Sequence, residues 1–398
     1  MKVLHVIPSL SPKHGGPSVA LPLMARSLVA QGVEVDVATT DDDGPGGRLN
    51  VPSEQRIERD GYGLYYFRKQ TEFYKVSLPF SRWLAVRVKD YDLVHIHTLF
   101  SHTSTISARC ARRNGVPYII RPLGVLNRWG MENRRRLIKS LSYRFVEQPL
   151  LRRAAAMHYT SHAEKREAEQ TGATAPAAVI PLGIDTTDFQ NLPSADIFLN
   201  RFSQAKGRNL VLFLSRLDPK KGVDLLLRVW ADIRKSEFGG QWSKNWMLAI
   251  AGDGDEQYVA SLKAQAVQLG LADDIVWAGF LSGSDKLSAF AAGKVFVLPS
   301  HSENFGIALV EAMAAGLPCL TTHGVAVAEG IRAQWPDALV VVSPDEREFT
   351  AALGRLLADV SRRTQLGAHA KCIATEQFSL LAMGLALKKL YETIQGSR

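Results

Sequence analysis

Glu303 and Glu311 stand eight residues apart in the stretch VFVLPSHSENFGIALVEAMAAGLPCLTT, Val295 to Thr322. Between them lie Gly306 and an almost wholly apolar segment. From Ile307 to Ala315 the only polar residue is Glu311. VFVLPS reads as a buried strand ended by Pro299, and HSEN as a polar turn. The spacing predicts a helix from near Gly306, stopped by Gly316 and Pro318. A helix apolar on all sides is normally buried, so its one carboxylate requires a partner or a ligand. A glutamate at the helix mouth and another one turn inside suit a ligand with many hydroxyls.

Other polar residues fall just after predicted strands. SPKHGGPS carries Gly15 and Gly16 together before a helix. Adjacent glycines let backbone N–H groups approach a phosphate, but the motif alone favours an ordinary glycine turn. SRLDPKKG offers Arg216, Lys220 and Lys221. Arg matches two phosphate oxygens as a fork and Lys adds a point charge, while cations before a helix N-terminus are slightly unfavourable alone. An anion between them and a solvated basic loop both remain open. AGDGDE, Gly252 to Glu256, lacks the third glycine of a dinucleotide fingerprint. DLVHIHTLFSH holds His95, His97 and His102; strand alternation puts His95 and His97 on one face. No acidic or cysteine ligand cluster supports a metal there. DDDG, Asp41 to Gly44, reads as a solvated turn.

The elements that must position these loops alternate. KVLHVIP, VEVDVATT, DLVHIHT and VPYIIRP read as strands in the first half, with a helix from Ser18 to Gln31. RNLVLFLSRL, WMLAIAGDG, DIVWAGF and VFVLPS read as strands in the second half, with helices between. This rhythm predicts parallel sheets covered by helices. Ligands of such sheets bind beyond the carboxyl ends of the strands, here in a cleft between two halves. Pro181 to Phe198 is the expected linker. The 398 residues suffice for two or three domains, with 46% apolar and 22% charged residues. No apolar run approaches the ~18–20 residues that span a bilayer. The three cysteines, Cys110, Cys319 and Cys372, form neither a disulfide framework nor a zinc pattern,. The formal charge of +9 suits a phosphorylated substrate, an anionic surface or nucleic acid. Aromatic stacking positions of RNA-binding sheets are not evident, so nucleic acid is not expected. Met131 to His158 is a basic amphipathic stretch, with Ile138, Leu141 and Phe145 at helical spacing. A membrane-surface helix and a solvated face fit it equally.

Together the HGGPS loop, DLVHIHT, PLGID, SRLDPKKGVDLLL, AGDGDE, Gly279–Phe280 and SENFGIALVEAMAAGLP resemble the retaining glycosyltransferases of family 4, of the group 1 type. That resemblance implies the α/β GT-B fold, two Rossmann-like domains with parallel sheets facing an interdomain cleft. It implies a nucleotide-diphosphate sugar held mostly by the C-terminal domain. Arg216 and Lys221 match the diphosphate-binding pair, and Glu311 the ribose-binding glutamate. Glu303, with the amides of Asn304, Phe305 and Gly306, matches the donor-sugar contact. Gly16 matches the phosphate-side glycine and Phe280 a position near the nucleobase, with Gly252 also on the donor side. His97 matches the histidine near the transferred sugar. Glu303 and His97 are the residues expected at the reaction centre, Glu303 orienting the sugar. Two departures stand out: ENFG where EGFG is common, and THGVAVAEG, which lacks a glycine pair.

The resulting expectation is a hexosyltransferase that retains anomeric configuration and needs no metal or other cofactor. UDP-glucose is the expected donor, with GDP-mannose and UDP-N-acetylglucosamine as alternatives. The expected acceptor is a glycan or lipid-linked sugar in cell-surface polysaccharide (exopolysaccharide) synthesis. Competing readings are a nucleotide-sugar epimerase and a non-catalytic sugar-nucleotide-binding protein. The expected domains are 1–185 on the acceptor side and 186–375 on the nucleotide-sugar side. Residues 376–398 are expected as a helix returning to the first. The expected location is cytoplasmic or peripheral at the inner face of the plasma membrane, through the basic stretch 131–158.

Overall fold

The strand-like segments of the sequence sort into two sheets. The computed structural model describes residues 1–126, 141–235 and 245–397. The chain divides into two units, Met1–Gly183 with Leu380–Arg398, and Ile184–Ser379.

The first unit holds β1 (Lys2–Ser9), β2 (Glu34–Thr40), β3 (Arg56–Arg59), β4 (Tyr62–Phe67), β5 (Leu93–His97), β6 (Tyr118–Arg121), β7 (Ala156–Tyr159) and β8 (Ala177–Val179). Their order is β3-β4-β2-β1-β5-β6-β7-β8. All pairings are parallel except that of the edge strand β3 with β4. Strands covered on both faces read as continuous apolar runs rather than alternating ones. Leu4, Val6, Val94, Ile96 and Ile120 are accordingly buried. The chain builds outward from β1 on one side, then restarts at β5 on the other. That reversal is a topological switch point, where α/β sheets open a crevice beyond their strand ends.

The second unit repeats the plan. β9 (Asn209–Leu214), β10 (Trp246–Ala251), β11 (Ile275–Gly279), β12 (Gly293–Leu298), β13 (Cys319–Thr322) and β14 (Val340–Val342) lie in the order β11-β10-β9-β12-β13-β14. Every pairing is parallel. Here the order reverses between β9 and β12.

The two crossings of the chain run side by side. Ile184 N donates to Phe378 O at 2.8 Å, and Ile184 bridges Ser379. The last helix, Leu380–Gly396, then packs on the helix Gly16–Val29. Lys388 Nζ donates to Gln31 O at 2.9 Å, and Gly183 N to Met383 Sδ at 3.1 Å. Gly384 permits the close approach: a Cβ there would lie 2.6 Å from Ser27 O.

The DDDG segment is not the solvated turn that its composition suggests. Asp41 and Asp42 are buried. Asp42 takes Lys69 Nζ at 2.8 Å, His14 Nε2 at 2.9 Å and Lys75 Nζ, while Arg48 holds Asp41 at 2.7 Å. Burial by itself would raise the pKa of Asp42. The bonds from Lys69 and Lys75 outweigh it and hold the carboxyl below its ordinary range,. The partners of Asp42 come from segments 27 or more residues away, so local composition could not announce them.

Of the basic stretch Met131 to His158, residues 131–140, with Arg134, Arg135, Arg136, Ile138 and Lys139, lie outside the described residues. In the described part Leu141 and Phe145 are exposed. Among the described residues no helix is long and apolar enough to cross a membrane.

Two glycines in helices separate packing from propensity. Gly384→Ala should lower the melting transition of the first unit by the equivalent of about 1–3 kcal/mol, the usual penalty of an overpacked contact. Gly354→Ala, in the helix Glu346–Ala358 with nothing within 4 Å of a new Cβ, should stabilise by about 0.5–1 kcal/mol. Scanning calorimetry of both variants checks the contrast; equal shifts would contradict it.

Candidate functional site

Two loops meet at the switch point of the second sheet. The first, Ser215 to Gly222, leaves β9; the second, Pro299 to Gly306, leaves β12. Asp218 caps the short turn Pro219–Lys221 by accepting from Lys220 N at 3.0 Å. Gly222 ends that turn in the left-handed region, φ 66°. A Cβ there would sit 2.2 Å from Pro299 O, so only glycine lets the loops touch. His301 N donates to Lys220 O at 2.7 Å and ties them together.

This contact sets Lys221 against Glu303 as an ion pair, both side chains largely covered. Burial, and then the neighbouring Arg216 charge, pull the Lys221 ammonium down to about 8. The Glu303 carboxylate works in the opposite sense, favouring the charged form. Arg216 is exposed and has no ion-pair partner among the described residues.

Gly306 is the N-cap of the helix Ile307–Ala314, at φ 97°. One turn in, Glu311 Oε1 accepts from Lys286 Nζ at 2.8 Å. Lys286 belongs to the preceding helix, Gly283–Ala292. It is the partner that the sequence reading left unnamed. Lys221 thus pairs with Glu303 and Lys286 with Glu311, and Arg216 lies near Lys221. The arrangement offers cations for a polyanion and carboxylates for hydroxyl donors.

Neighbouring loops brace these two. Gly252 N donates to Gly279 O at 2.7 Å, and Leu217 N to Asp253 O at 2.8 Å. A Cβ on Gly252 would lie 1.8 Å from Ser215 O. Gly252 therefore holds the backbone under Arg216. Phe280, just past β11, is 71% exposed and presents a free aromatic face. Phe305 turns inward and packs on Phe378 at 6.2 Å, leaving its backbone to the loop. Asn304 stands between Glu303 and Phe305 in the same turn. The THGVAVAEG segment, which departs from the family pattern, supports the site through its backbone. Glu303 N donates to Gly324 O at 2.8 Å, and Ala326 N to Glu303 O at 3.0 Å. A Cβ on Gly324 would meet Ser300 O at 2.3 Å, so one glycine does the close approach expected of a pair.

The remaining sequence-predicted residues belong to the first unit and gather at its own switch point. Gly16 opens the helix Gly16–Val29, after β1; nothing lies within 4 Å of a Cβ there. His97 ends β5 and is fully buried. The β1–β5 register sets His5 opposite His95. His5 Nδ1 lies 3.0 Å from His97 Nε2. His158 joins from β7, and Tyr391 from the last helix. Burial first, then the Arg121 charge, lowers His5 and His158 to about 3. Burial also pushes His95 and His97 well below the ordinary imidazole value, so all four rings are neutral at physiological pH. His102 sits apart, at the start of the helix His102–Arg113, 3.3 Å from Ser77 N.

Ring nitrogens of His5, His95 and His97 come within 4.8 Å of one another, close enough to raise the question of a metal. The donor set fits one poorly. The His5–His97 contact already uses one nitrogen of each ring, no carboxylate joins the group, and the buried Arg121 guanidinium beside it opposes a second cation,.

Known proteins share this plan. The family model "Glycosyl transferases group 1" matches residues 196–372, and "Glycosyl transferase 4-like domain" matches 15–183. The GDP-mannose-dependent alpha-(1-6)-phosphatidylinositol monomannoside mannosyltransferase of Mycolicibacterium smegmatis is 28% identical over 58% of this chain and 59% of its own length. The D-inositol 3-phosphate glycosyltransferase of Acidothermus cellulolyticus is 26% identical over 88% of this chain and 80% of its own. The match to the mycobacterial relative thus spans little more than half of that protein. Among solved structures, sucrose-phosphate synthase from Thermosynechococcus elongatus superposes with a TM-score of 0.76 at 20% identity, covering 100% of both chains. Anabaena HepE in complex with UDP and glucose gives 0.75 at 19% identity, covering 99% of this chain and 100% of its own. Both are GT-B structures, and this chain has that fold.

Gly306 and Gly16 make a paired test of the site's scaffold. A Cβ on Gly306 would meet Val325 Cγ1 at 2.7 Å in a left-handed backbone. Gly306→Ala should cost the second unit about 1–3 kcal/mol in a calorimetric melt. Gly16→Ala, with open space around it, should leave the first unit within about 0.5 kcal/mol of the parent.

Proposed function

The chain belongs to the group 1 glycosyltransferases of family 4, and we propose that it moves glucose from UDP-glucose to a glycan or lipid-linked acceptor. The proposal includes retention at the anomeric carbon, no metal requirement, and a role in cell-surface polysaccharide synthesis at the membrane face. One observation carries it: the loop of Arg216 and Lys221 touches the loop of Glu303 at the strand-end switch point of one sheet, and Glu311 lies in the helix that this second loop opens. HepE, whose structures hold UDP, UDP-glucose or UDP with glucose, has the same fold. GDP-mannose is the competing donor, since the mycobacterial relative is named as dependent on it.

Each residue has a part that its surroundings suit. Arg216 and Lys221 take the diphosphate and neutralise the charge that grows on it as the glycosidic bond breaks. Fixed charges that need no reorganisation are the largest source of rate in such reactions. Glu303 holds Lys221 when no donor is bound. With donor present it turns to the sugar hydroxyls, accepting their protons in hydrogen bonds. Glu311, oriented by Lys286, accepts from the ribose hydroxyls, and Phe280 offers its face to the base. The parts of Gly16 and His97, at the first unit's own switch point, rest on the family resemblance alone.

Thermal-shift titration with UDP-glucose and GDP-mannose identifies the donor, because the correct one stabilises the folded state. Lys221→Ala and Glu311→Ala should each lower kcat/KM for transfer by about 10²–10³. Near-native activity in both would remove the assignment. NMR of the product distinguishes transfer with retention from inversion, and from epimerisation of the donor alone.

The lowered Lys221 pKa gives a pH signature with a definite sign. Below about 8 the ammonium is charged and attracts diphosphate; above about 8 the charge is lost,. Donor affinity should therefore fall as pH rises through that value. In Lys221→Arg, which stays charged, the fall should vanish. Calorimetric titration between pH 7 and 9 reads both.

A further inference from the structure

The buried histidines form more than a cluster, because one end of their hydrogen-bond chain has a fixed polarity. His158 Nε2 lies 3.0 Å from Ile180 O. A carbonyl only accepts, so His158 carries its proton on Nε2, and Nδ1 is bare. His95 Nε2, 3.3 Å from that Nδ1, must then donate. This leaves His95 Nδ1 bare, and Tyr391 Oη, 2.7 Å away, donates to it. The phenol has one proton and has spent it. His5 Nε2, 3.4 Å from the same oxygen, therefore donates, leaving His5 Nδ1 to accept. His97 Nε2 at 3.0 Å supplies that proton. His97 Nδ1 ends the chain with no hydrogen-bond partner among the described residues.

We infer that this one-way chain, running from the Ile180 carbonyl to β5, fixes His97 as the neutral Nε2–H tautomer, and that Tyr391 is a positioning residue for His97. Every link follows from the one before it, and each ring is needed neutral. The rings meet that condition. All four are fully buried, and burial together with Arg121 disfavours a second proton on each. Glu164, the acidic group acting on Arg121, spends its oxygens on Gly124 N, Thr160 N and Thr160 Oγ1, so it does not draw a proton onto the rings.

The polarity decides what His97 can do. Its open nitrogen is a lone pair, which accepts a hydrogen bond from a hydroxyl and repels a phosphate oxygen. That nitrogen is covered in this structure, so a hydroxyl reaches it only after its cover moves. The link to catalysis rests on the transfer reading above; the tautomer does not.

Histidine-labelled full-length protein tests it by long-range proton–nitrogen NMR, which shows which ring nitrogen carries the proton. Sequence-specific assignment picks out the four buried rings, and all four should be Nε2–H. One Nδ1–H ring among them would overturn the chain. Tyr391→Phe removes a single hydroxyl and keeps the ring. Two rings, His158 and His95, should keep their tautomer, while His5 and His97 should become mixtures. No change, or change in all four, would overturn the role of Tyr391. Zn2+ alone should leave the four rings unaltered; loss of a ring proton on adding zinc would replace the chain with a metal site. In transfer assays Tyr391→Phe should lower kcat about tenfold or more with KM unchanged. Unchanged kcat in a variant whose spectra do shift would overturn the positioning role. A protein that transfers nothing from any donor, yet gives the four expected tautomers, would fail the functional reading alone.

Discussion

An ammonium and a carboxylate taken out of water must face each other or lose their charge. In the second unit Lys221 and Glu303 meet this condition, and much of the local architecture exists to bring them together. Gly222 must be left-handed and lack a side chain for the β9 loop to lie under Pro299 O. Gly324 must lack one for the β13 loop to lie against Ser300 and His301. The His301 N to Lys220 O bond and the Glu303 N to Gly324 O bond then clamp the β12 loop from both sides. The pair is a resting contact. Its carboxylate occupies a cation that a more highly charged group can claim, so the site is held in shape without being permanently neutralised.

The same device appears twice in the fold, with different contents. Each unit reverses its strand order once, β1 to β5 in the first and β9 to β12 in the second. Reversal sends the flanking helices to opposite faces and leaves the strand ends uncovered there. The second unit fills its gap with charge on long side chains. The first fills its gap with neutral rings whose protons are ordered by a single backbone carbonyl. Charge suits a polyanion, and neutral donors and acceptors suit hydroxyls.

Much of this was legible from residue order. The spacing of Glu303 and Glu311, the glycine at the helix mouth and the basic SRLDPKKG loop all depend on neighbours within a few turns. So does the alternation of strands and helices. What escaped is what depends on register between distant strands. His95 and His97 share a face by strand alternation, yet only the β1–β5 register shows that His5 completes the group. Tyr391 reaches His95 across 296 residues, and no local pattern marks it. Lys286 is one lysine among many until helix packing brings it to Glu311. Asp42 looks solvated because its counter-ions, Lys69 and Lys75, arrive from another loop. The edge pairing of β3 with β4 was likewise invisible in a pattern dominated by parallel strands.

The return of the last helix to the first unit has a consequence for the order of events during synthesis. The ribosome releases Met1–Gly183 early, with His5, His95, His97 and His158 already on their strands. Tyr391 arrives only after the whole of Ile184–Ser379 has been made. At roughly 5–20 residues per second, the roughly two hundred intervening residues take on the order of 10–40 s. For that interval the nascent first unit carries four histidines without the hydroxyl that joins them, and an uncovered face on the helix Gly16–Val29 where the last helix will dock. The N-terminal unit is thus the first to begin folding, and its completion reports that the second unit has been made.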